Sequence, residues 1–188
     1  MTKGSNICRR AFLSFSSIAA ASLAAGPVLA APAVTGRATA AGTRALNFVN
    51  LHTQETGQIL YWENGKYLTE SLAQISRALR DPRNNQVHAI SPELLDLTVR
   101  LGQTLNSTAP FHIISAYRSQ DTNDALAARS GGVARRSYHL AGMAIDLRMP
   151  NRPLNQVRGA ALQLASGGVG YYPQSNFVHV DVGSVRRW

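Results

Sequence analysis

From Phe177 to Val182 the chain reads Phe-Val-His-Val-Asp-Val, a strict alternation along one short run. Successive side chains of a β-strand point to opposite faces. Val178, Val180 and Val182 therefore share a face suited to a core, and Phe177, His179 and Asp181 share the other. The run Ala144-Ile-Asp-Leu-Arg148 repeats the pattern, with Asp146 bracketed by Ile145 and Leu147. Polar groups of this kind on neighbouring core strands are costly unless they are paired or bind a metal. The chain must accordingly build a sheet, and something polar must meet one face of it.

The remaining partner stands seven residues before Asp146. In Ser137-Tyr-His-Leu-Ala-Gly-Met-Ala-Ile-Asp146, His139 sits in a glycine-containing loop that can lay its imidazole over the two strands. Our reading is that His139, Asp146 and His179 hold one Zn2+ ion. Three ligands of His and carboxylate type, with a fourth place left to water, describe a catalytic zinc site. The plainer alternative is a scaffold without metal, its His and Asp residues hydrogen-bonded in the core. His-x6-Asp alone is common; its combination with His-Val-Asp on a strand, and with Ser115-Ala-Tyr-Arg118 upstream, is far more specific.

The rest of the chain supplies a scaffold. Leu46–Leu51 and Ile59–Trp62 flank a polar, glycine-ended turn and predict a hairpin. Glu63-Asn-Gly65 is a second turn. Leu68, Leu72, Ile75 and Leu79 recur at helical spacing until Asp81-Pro82. Ser91-Pro92-Glu93 predicts a helix start, with Ser as N-cap and Pro at the first helical position. Leu94, Leu95, Leu97, Leu101 and Leu105 form its buried face. Phe111–Tyr117 reads as a central strand with Arg118 at its end, then a short helix through Ala125–Arg129 and a break at Ser130-Gly-Gly132. Leu154–Ala165 is a helix ended by Gly167-Gly168. Val169–Tyr172 and Phe177–Val182 close the chain as a hairpin around Pro173–Asn176. Strands and helices do not alternate regularly, so the expected class is α+β: a single domain with a central antiparallel sheet flanked by helices.

The first thirty residues predict a secretory signal. Lys3, Arg9 and Arg10 form a positive start, Ala11–Ala25 an apolar core too short for a membrane span, and Val28-Leu29-Ala30 a cleavage site. Arg9-Arg10 with Phe12-Leu13 resembles a twin-arginine signal, although Cys8 and Ser14 stand where Ser/Thr and Lys are usual. The expected organisation is a signal over 1–30, a flexible lead-in over 31–45 and a folded zinc-binding domain over 46–188, with a periplasmic location and no stable membrane span after cleavage. Cys8 is the only cysteine. Its removal would leave no thiol, excluding cysteine-dependent wall hydrolases and transpeptidases. The formal net charge is +9, of which the signal carries three positive charges. The excess suits a polyanionic partner such as an acidic wall polymer. No nucleic-acid-binding signature accompanies it.

Ser115-Ala-Tyr-Arg-Ser119, Ser137-x-His139-x-x-Gly142-x-Ala144-x-Asp146 and Phe177-Val-His-Val-Asp181 together resemble the zinc D-Ala-D-Ala peptidase family, in the superfamily that also holds lysostaphin-type enzymes and Hedgehog domains. The murein endopeptidase K-like branch is the most similar, from about Leu46 to Trp188. The resemblance implies that fold, His139, Asp146 and His179 as zinc ligands, and a zinc-dependent hydrolase of peptidoglycan cross-links. It also implies Arg118 as a clamp on a substrate carboxylate, with Ser115 and Ser137 as supporting or substrate contacts. An arginine's planar fork suits that task through two parallel hydrogen bonds. One departure stands out. Many relatives carry an acid as general base three residues before the last zinc histidine, and here that residue is Asn176. Asp181 is the nearest catalytic candidate for the base; its alternative role is to orient a zinc ligand. His112, on the strand leading to Arg118, is a more distant candidate. Asn176 keeps open a non-catalytic, zinc-containing peptidoglycan-binding module, and a D,D- or L,D-carboxypeptidase trimming stem peptides also fits.

Overall fold

A computed structural model describes residues 42–129 and 134–188. The predicted signal, most of the predicted lead-in and the predicted break at Ser130-Gly-Gly132 lie outside the described residues. Two strands open the fold, β1 (Thr43–Asn50) and β2 (Thr56–Glu63), paired as the predicted antiparallel hairpin. Strand β1 starts three residues before Leu46, because Arg44 is anchored: its Nη1 lies 2.6 Å from Asp96 Oδ2. A two-residue strand β3 (Lys66–Tyr67) follows the turn at Asn64-Gly65.

Helix α1 (Thr69–Ala78) packs on β2, and α2 (Pro92–Thr104) packs on β1. The predicted cap of α2 is present, with Ser91 Oγ accepting from the Leu94 amide at 3.4 Å. Strand β4 (Phe111–Ser115) leads to α3 (Gln120–Arg129), which begins five residues earlier than the predicted helix. Strand β5 (Ala144–Arg148), helix α4 (Leu154–Leu164) and the hairpin of β6 (Gly168–Tyr172) with β7 (Phe177–Asp181) complete the predicted elements. A last strand, β8 (Arg186–Arg187), was not expected.

Among the described residues, all eight strands join one sheet in the order β3-β2-β1-β4-β5-β7-β6-β8. The sheet is mixed, which corrects the antiparallel expectation: β1 runs parallel to β4, and β6 parallel to β8. The first parallel pair follows from the crossover, since α1 and α2 carry the chain back before β4 begins. The second follows from the hairpin. Strand β7 ends beside the start of β6, so a short turn delivers β8 to that same end. Two element ends also differ. The helix α4 is capped by Ala165 in the left-handed conformation (φ 46°), and Gly167-Gly168 lie beyond it against Asp181. Strand β4 stops at Ser115 rather than Tyr117 because the next backbone groups bond elsewhere: Tyr117 N donates to Leu79 O and Arg118 N to His139 O.

The core lies between the sheet and α1, α2 and α4. Ile113, Ile145, Leu147, Val178 and Val180 meet Leu94, Leu95, Leu101, Val157 and Ala161 there. The opposite face of the central strands is left for the polar residues, as the alternation requires. Leu147→Ala should therefore cost about 2–5 kcal/mol of unfolding free energy in urea titrations. A loss below about 1 kcal/mol would show that this strand is not seated as described.

Candidate metal centre

Strands β5 and β7 set the site by register. Asp146 pairs with His179 and Ala144 with Asp181, so these residues share a face. His139 arrives on a 3-10 turn, Tyr138–Ala141, whose first amide groups are met by Ser137: its Oγ accepts from His139 N at 3.4 Å. The turn ends at Gly142 in the left-handed conformation (φ 64°), which glycine adopts without steric cost. The result is a tight cluster. His179 Nδ1 lies 2.8 Å from Asp146 Oδ1, His139 Nε2 lies 3.3 Å from the same oxygen, and the two nitrogens are 3.2 Å apart. All three residues are buried, with ligand-type atoms within 4.8 Å of one another.

The outer contacts decide what those atoms can do. His139 Nδ1 lies 2.6 Å from the carbonyl oxygen of Ala116. A carbonyl only accepts, so the Nδ1 carries the proton and the lone pair is on Nε2. His179 Nε2 lies 3.0 Å from Asp181 Oδ2, which assigns that proton in the same way and leaves the Nδ1 lone pair free. Two imidazole lone pairs and a carboxylate oxygen thus converge on one point. Such a set repels itself unless a cation joins it, and His, His and carboxylate are ligands zinc accepts. Without a metal, a proton takes the place. Burial opposes the charge on His179, but hydrogen bonds to Asp146 and Asp181 and their charges outweigh it and raise its pKa to about 9. Burial also opposes the Asp146 charge; the charge and hydrogen bond of His139, with that of His179, hold the carboxylate well below its usual range.

Asp181 is fully buried and crowded with donors. Its Oδ1 accepts from Gly168 N (3.0 Å), Gly183 N (2.9 Å) and Arg186 Nη1 (3.0 Å); its Oδ2 accepts from Arg186 Nη2 (2.6 Å) and His179. Despite burial, those bonds, led by His179 and Arg186, keep it ionised well below the usual carboxylate range.

Arg118 is held more loosely. Its Nη2 reaches Ser115 Oγ at 3.3 Å and stands 3.7 Å from Asp146 Oδ2, its Nη1 reaches Asn123 Oδ1 at 3.4 Å, and its Nε is buried without a partner. Its loop is pinned by buried Asp81, whose Oδ2 accepts from Ser119 N (2.9 Å) and Oγ (2.7 Å). A groove of about 420 Å³ runs over the cluster, lined among others by Arg118, Arg136, Ser137, Tyr138, Tyr172, Phe177, Arg186 and Trp188. Tyr172 stacks on Phe177 at 4.6 Å, and Trp188 Nε1 donates to the Tyr172 hydroxyl at 2.7 Å.

Of the residues singled out in the sequence, His139, Asp146, His179, Arg118, Ser137 and, behind them, Ser115 and Asp181 come together. His112 does not: it lies opposite Arg148 in the β4–β5 register, away from the groove lining. Asn176 is also outside that lining, at the end of the β6–β7 turn with φ 54°. Sequence reasoning missed Arg186, because the two-residue β8 carries no periodic signal.

The profile of the family described as Peptidoglycan L,D-endopeptidase MepK matches residues 38–188. The chain is 45% identical over 145 residues to the Peptidoglycan L,D-endopeptidase MepK of Escherichia coli (strain K12), covering 77% of this chain and 80% of that one. It is 40% identical over 146 residues to the Probable peptidoglycan L,D-endopeptidase MepK of Haemophilus influenzae, covering 77% and 78%. Among solved structures, the L-Ala D-Glu endopeptidase ChiX of Serratia marcescens aligns over 50% of this chain and 68% of that chain, at 18% identity and a TM-score of 0.33.

A metal ion entering this cluster must displace the proton on His179. Because that group's pKa is raised, it is protonated at neutral pH and loses its proton only as pH approaches about 9. Metal binding at pH 7 should release about one proton, and apparent affinity should climb with pH until about 9. Calorimetry in two buffers of different ionisation enthalpy reads this directly. A heat independent of buffer would show that His179 carries no extra proton before the metal arrives.

Proposed function

The chain belongs to the family described as Peptidoglycan L,D-endopeptidase MepK, and from that premise we propose that it is a zinc-dependent murein endopeptidase using His139, Asp146 and His179 as ligands. The observation that carries the reading is the convergence of three lone pairs, with both imidazole tautomers set from behind by Ala116 and Asp181. When bound, the metal supplies Lewis acidity, lowering the pKa of water and polarising the scissile carbonyl. The metal's identity as zinc rests on the ligand chemistry, two imidazoles and one carboxylate.

The protein's own residues handle the substrate. Arg118 overlooks the cluster with an unpartnered Nε and long contacts elsewhere, so it has capacity for a substrate carboxylate. Ser115 holds that guanidinium from behind. Ser137 sets the histidine turn and lines the groove. Of the two roles open to Asp181, the orienting one fits better, since five donors on two oxygens leave no place for a further proton. Arg118 and Arg136 give the groove cationic side chains, which suits stem peptides rich in free carboxylates. In line with the relatives' name, the bond cut joins an L-centre to a D-centre in peptidoglycan, and a cross-link between diaminopimelate residues is the reading we favour. That substrate implies export to the periplasm; no helix among the described residues is long and apolar enough to cross a membrane. The twin-arginine route through Arg9 and Arg10 is a proposal resting on the sequence alone.

Mass spectrometry of muropeptides released from sacculi tests the reaction. Zinc-dependent conversion of diaminopimelate-linked dimers to monomers, absent in a chelated control, is expected. Loss of only a terminal D-alanine would make the protein a carboxypeptidase, and intact wall binding without cleavage would make it a binding module. Arg118→Ala should lower kcat/KM roughly 10- to 100-fold, the loss of a hydrogen-bonded charged group, with zinc content unchanged. Unaltered kinetics would remove its clamp role.

A further inference from the structure

The groove wall built by β8 contributes no ligand, yet it is tied to the cluster at several points. Arg186 lays its fork along Asp181, Nη1 on Oδ1 at 3.0 Å and Nη2 on Oδ2 at 2.6 Å. Two parallel contacts fix both the place and the plane of a carboxylate. The same Oδ2 accepts from His179 Nε2. The Arg186 guanidinium also lies over two rings, 5.1 Å from the centroids of Tyr138 and of Trp188. Tyr138 is the residue before His139, and the Trp188 ring stands 5.3 Å from that of His179. Arg186 therefore touches the surroundings of both histidines.

Strand β6 is shaped to admit this arrangement. A Cβ on Gly168 would come within 2.6 Å of Arg186 Nη1 and 2.5 Å of Asp181 Oδ2, and one on Gly170 within 2.7 Å of the Trp188 indole. The β8 backbone is tied down as well, Trp188 N donating to Val169 O at 3.2 Å and Trp188 O accepting from Tyr171 N at 3.1 Å.

We infer that Arg186 is a positioning residue of the metal centre: through Asp181, it fixes the orientation of His179. The inference rests on the reading of His139, Asp146 and His179 as ligands. Removing the fork leaves Asp181 Oδ1 tied to the Gly168 and Gly183 amides, while Oδ2 keeps only His179 and the carboxylate plane is free to turn. The imidazole then loses its fixed acceptor. Losses of such outer partners weaken metal binding roughly 10- to 100-fold.

The test uses the full chain and three readings: Zn2+ affinity by competition with a chromophoric chelator, the visible spectrum of the Co2+ form, and the thermal midpoint of the metal-free protein. Arg186→Met should weaken zinc roughly 10- to 100-fold and alter the cobalt spectrum, and Arg186→Lys should recover part of the affinity. In an Asp181→Asn background the Arg186 change should add less than about twofold, because both act on one path. Wild-type zinc affinity and cobalt spectrum in folded Arg186→Met, whatever its thermal midpoint, would overturn the inference. If that variant does not fold, Gly168→Ala carries the test, since its Cβ crowds both the Arg186 fork and Asp181 Oδ2 and so breaks their pairing; unchanged zinc affinity there would overturn the inference equally. His139→Ala separates the two levels. Zinc lost in His139→Ala but kept in the Arg186 variants removes only the inference, and zinc kept in His139→Ala removes the ligand reading beneath it.

Discussion

Three electron pairs, on His139 Nε2, His179 Nδ1 and Asp146 Oδ1, face one another across about 3 Å in a buried place. Left bare they would repel one another, so the place calls for a proton or a cation. Each is held by a different device: a backbone carbonyl behind His139, a buried carboxylate behind His179, and the sheet ladder beneath Asp146. Much of the local irregularity follows. Ala116 leaves the ladder of β4 to present its carbonyl to His139, and Arg118 N then bonds back to His139 O. The loop that carries Arg118 and the turn that carries His139 are thereby one hydrogen-bonded unit.

The central strands suit this task better than loops would. Strand β5 is bonded on both sides, to β4 and β7, and its aliphatic residues are fully buried. A side chain rooted there has little freedom to drift, and ligand geometry tolerates little drift. Arg118 sits on a loop instead, and that loop is steadied by Asp81, which is buried and locks the next residue, Ser119, through both its amide and its hydroxyl.

Legibility in the sequence follows from how far each signal reaches. The Val-His-Val-Asp alternation and the Ser91-Pro92 start are local, and both elements form where the pattern places them. The meeting of His139, Asp146 and His179 was legible because a histidine and an acid between aliphatics have few cheap explanations. Parallel pairing was not, since it depends on where a crossover returns the chain. Strand β8 was not, since two residues show no period. Gly167 and Gly168 looked like a helix stop but serve packing against Asp181, and Ala165 takes the strained cap instead. The end of β4 was misplaced for a related reason: Tyr117 has a strand-like side chain, and only distant partners draw the Ala116 and Tyr117 backbones away.

The arginines around the groove differ in how fully they are bonded, and that difference separates their roles. Arg186 spends both terminal nitrogens on one ionised carboxylate at short distance. Its charge is matched, and matched charges of this kind serve geometry. Arg118 is the more buried of the two, yet its contacts to Ser115 and Asn123 are long, its approach to Asp146 is 3.7 Å, and its Nε has nothing. Burying a guanidinium so incompletely paired is unfavourable, and burial does depress its pKa, with Asp146 offsetting part of the effect. A folded protein keeps such an expense where binding a partner relieves it. A carboxylate entering the groove would meet that cation beside the cluster of His139, Asp146 and His179, so the same incompleteness that weakens the free protein favours the bound one.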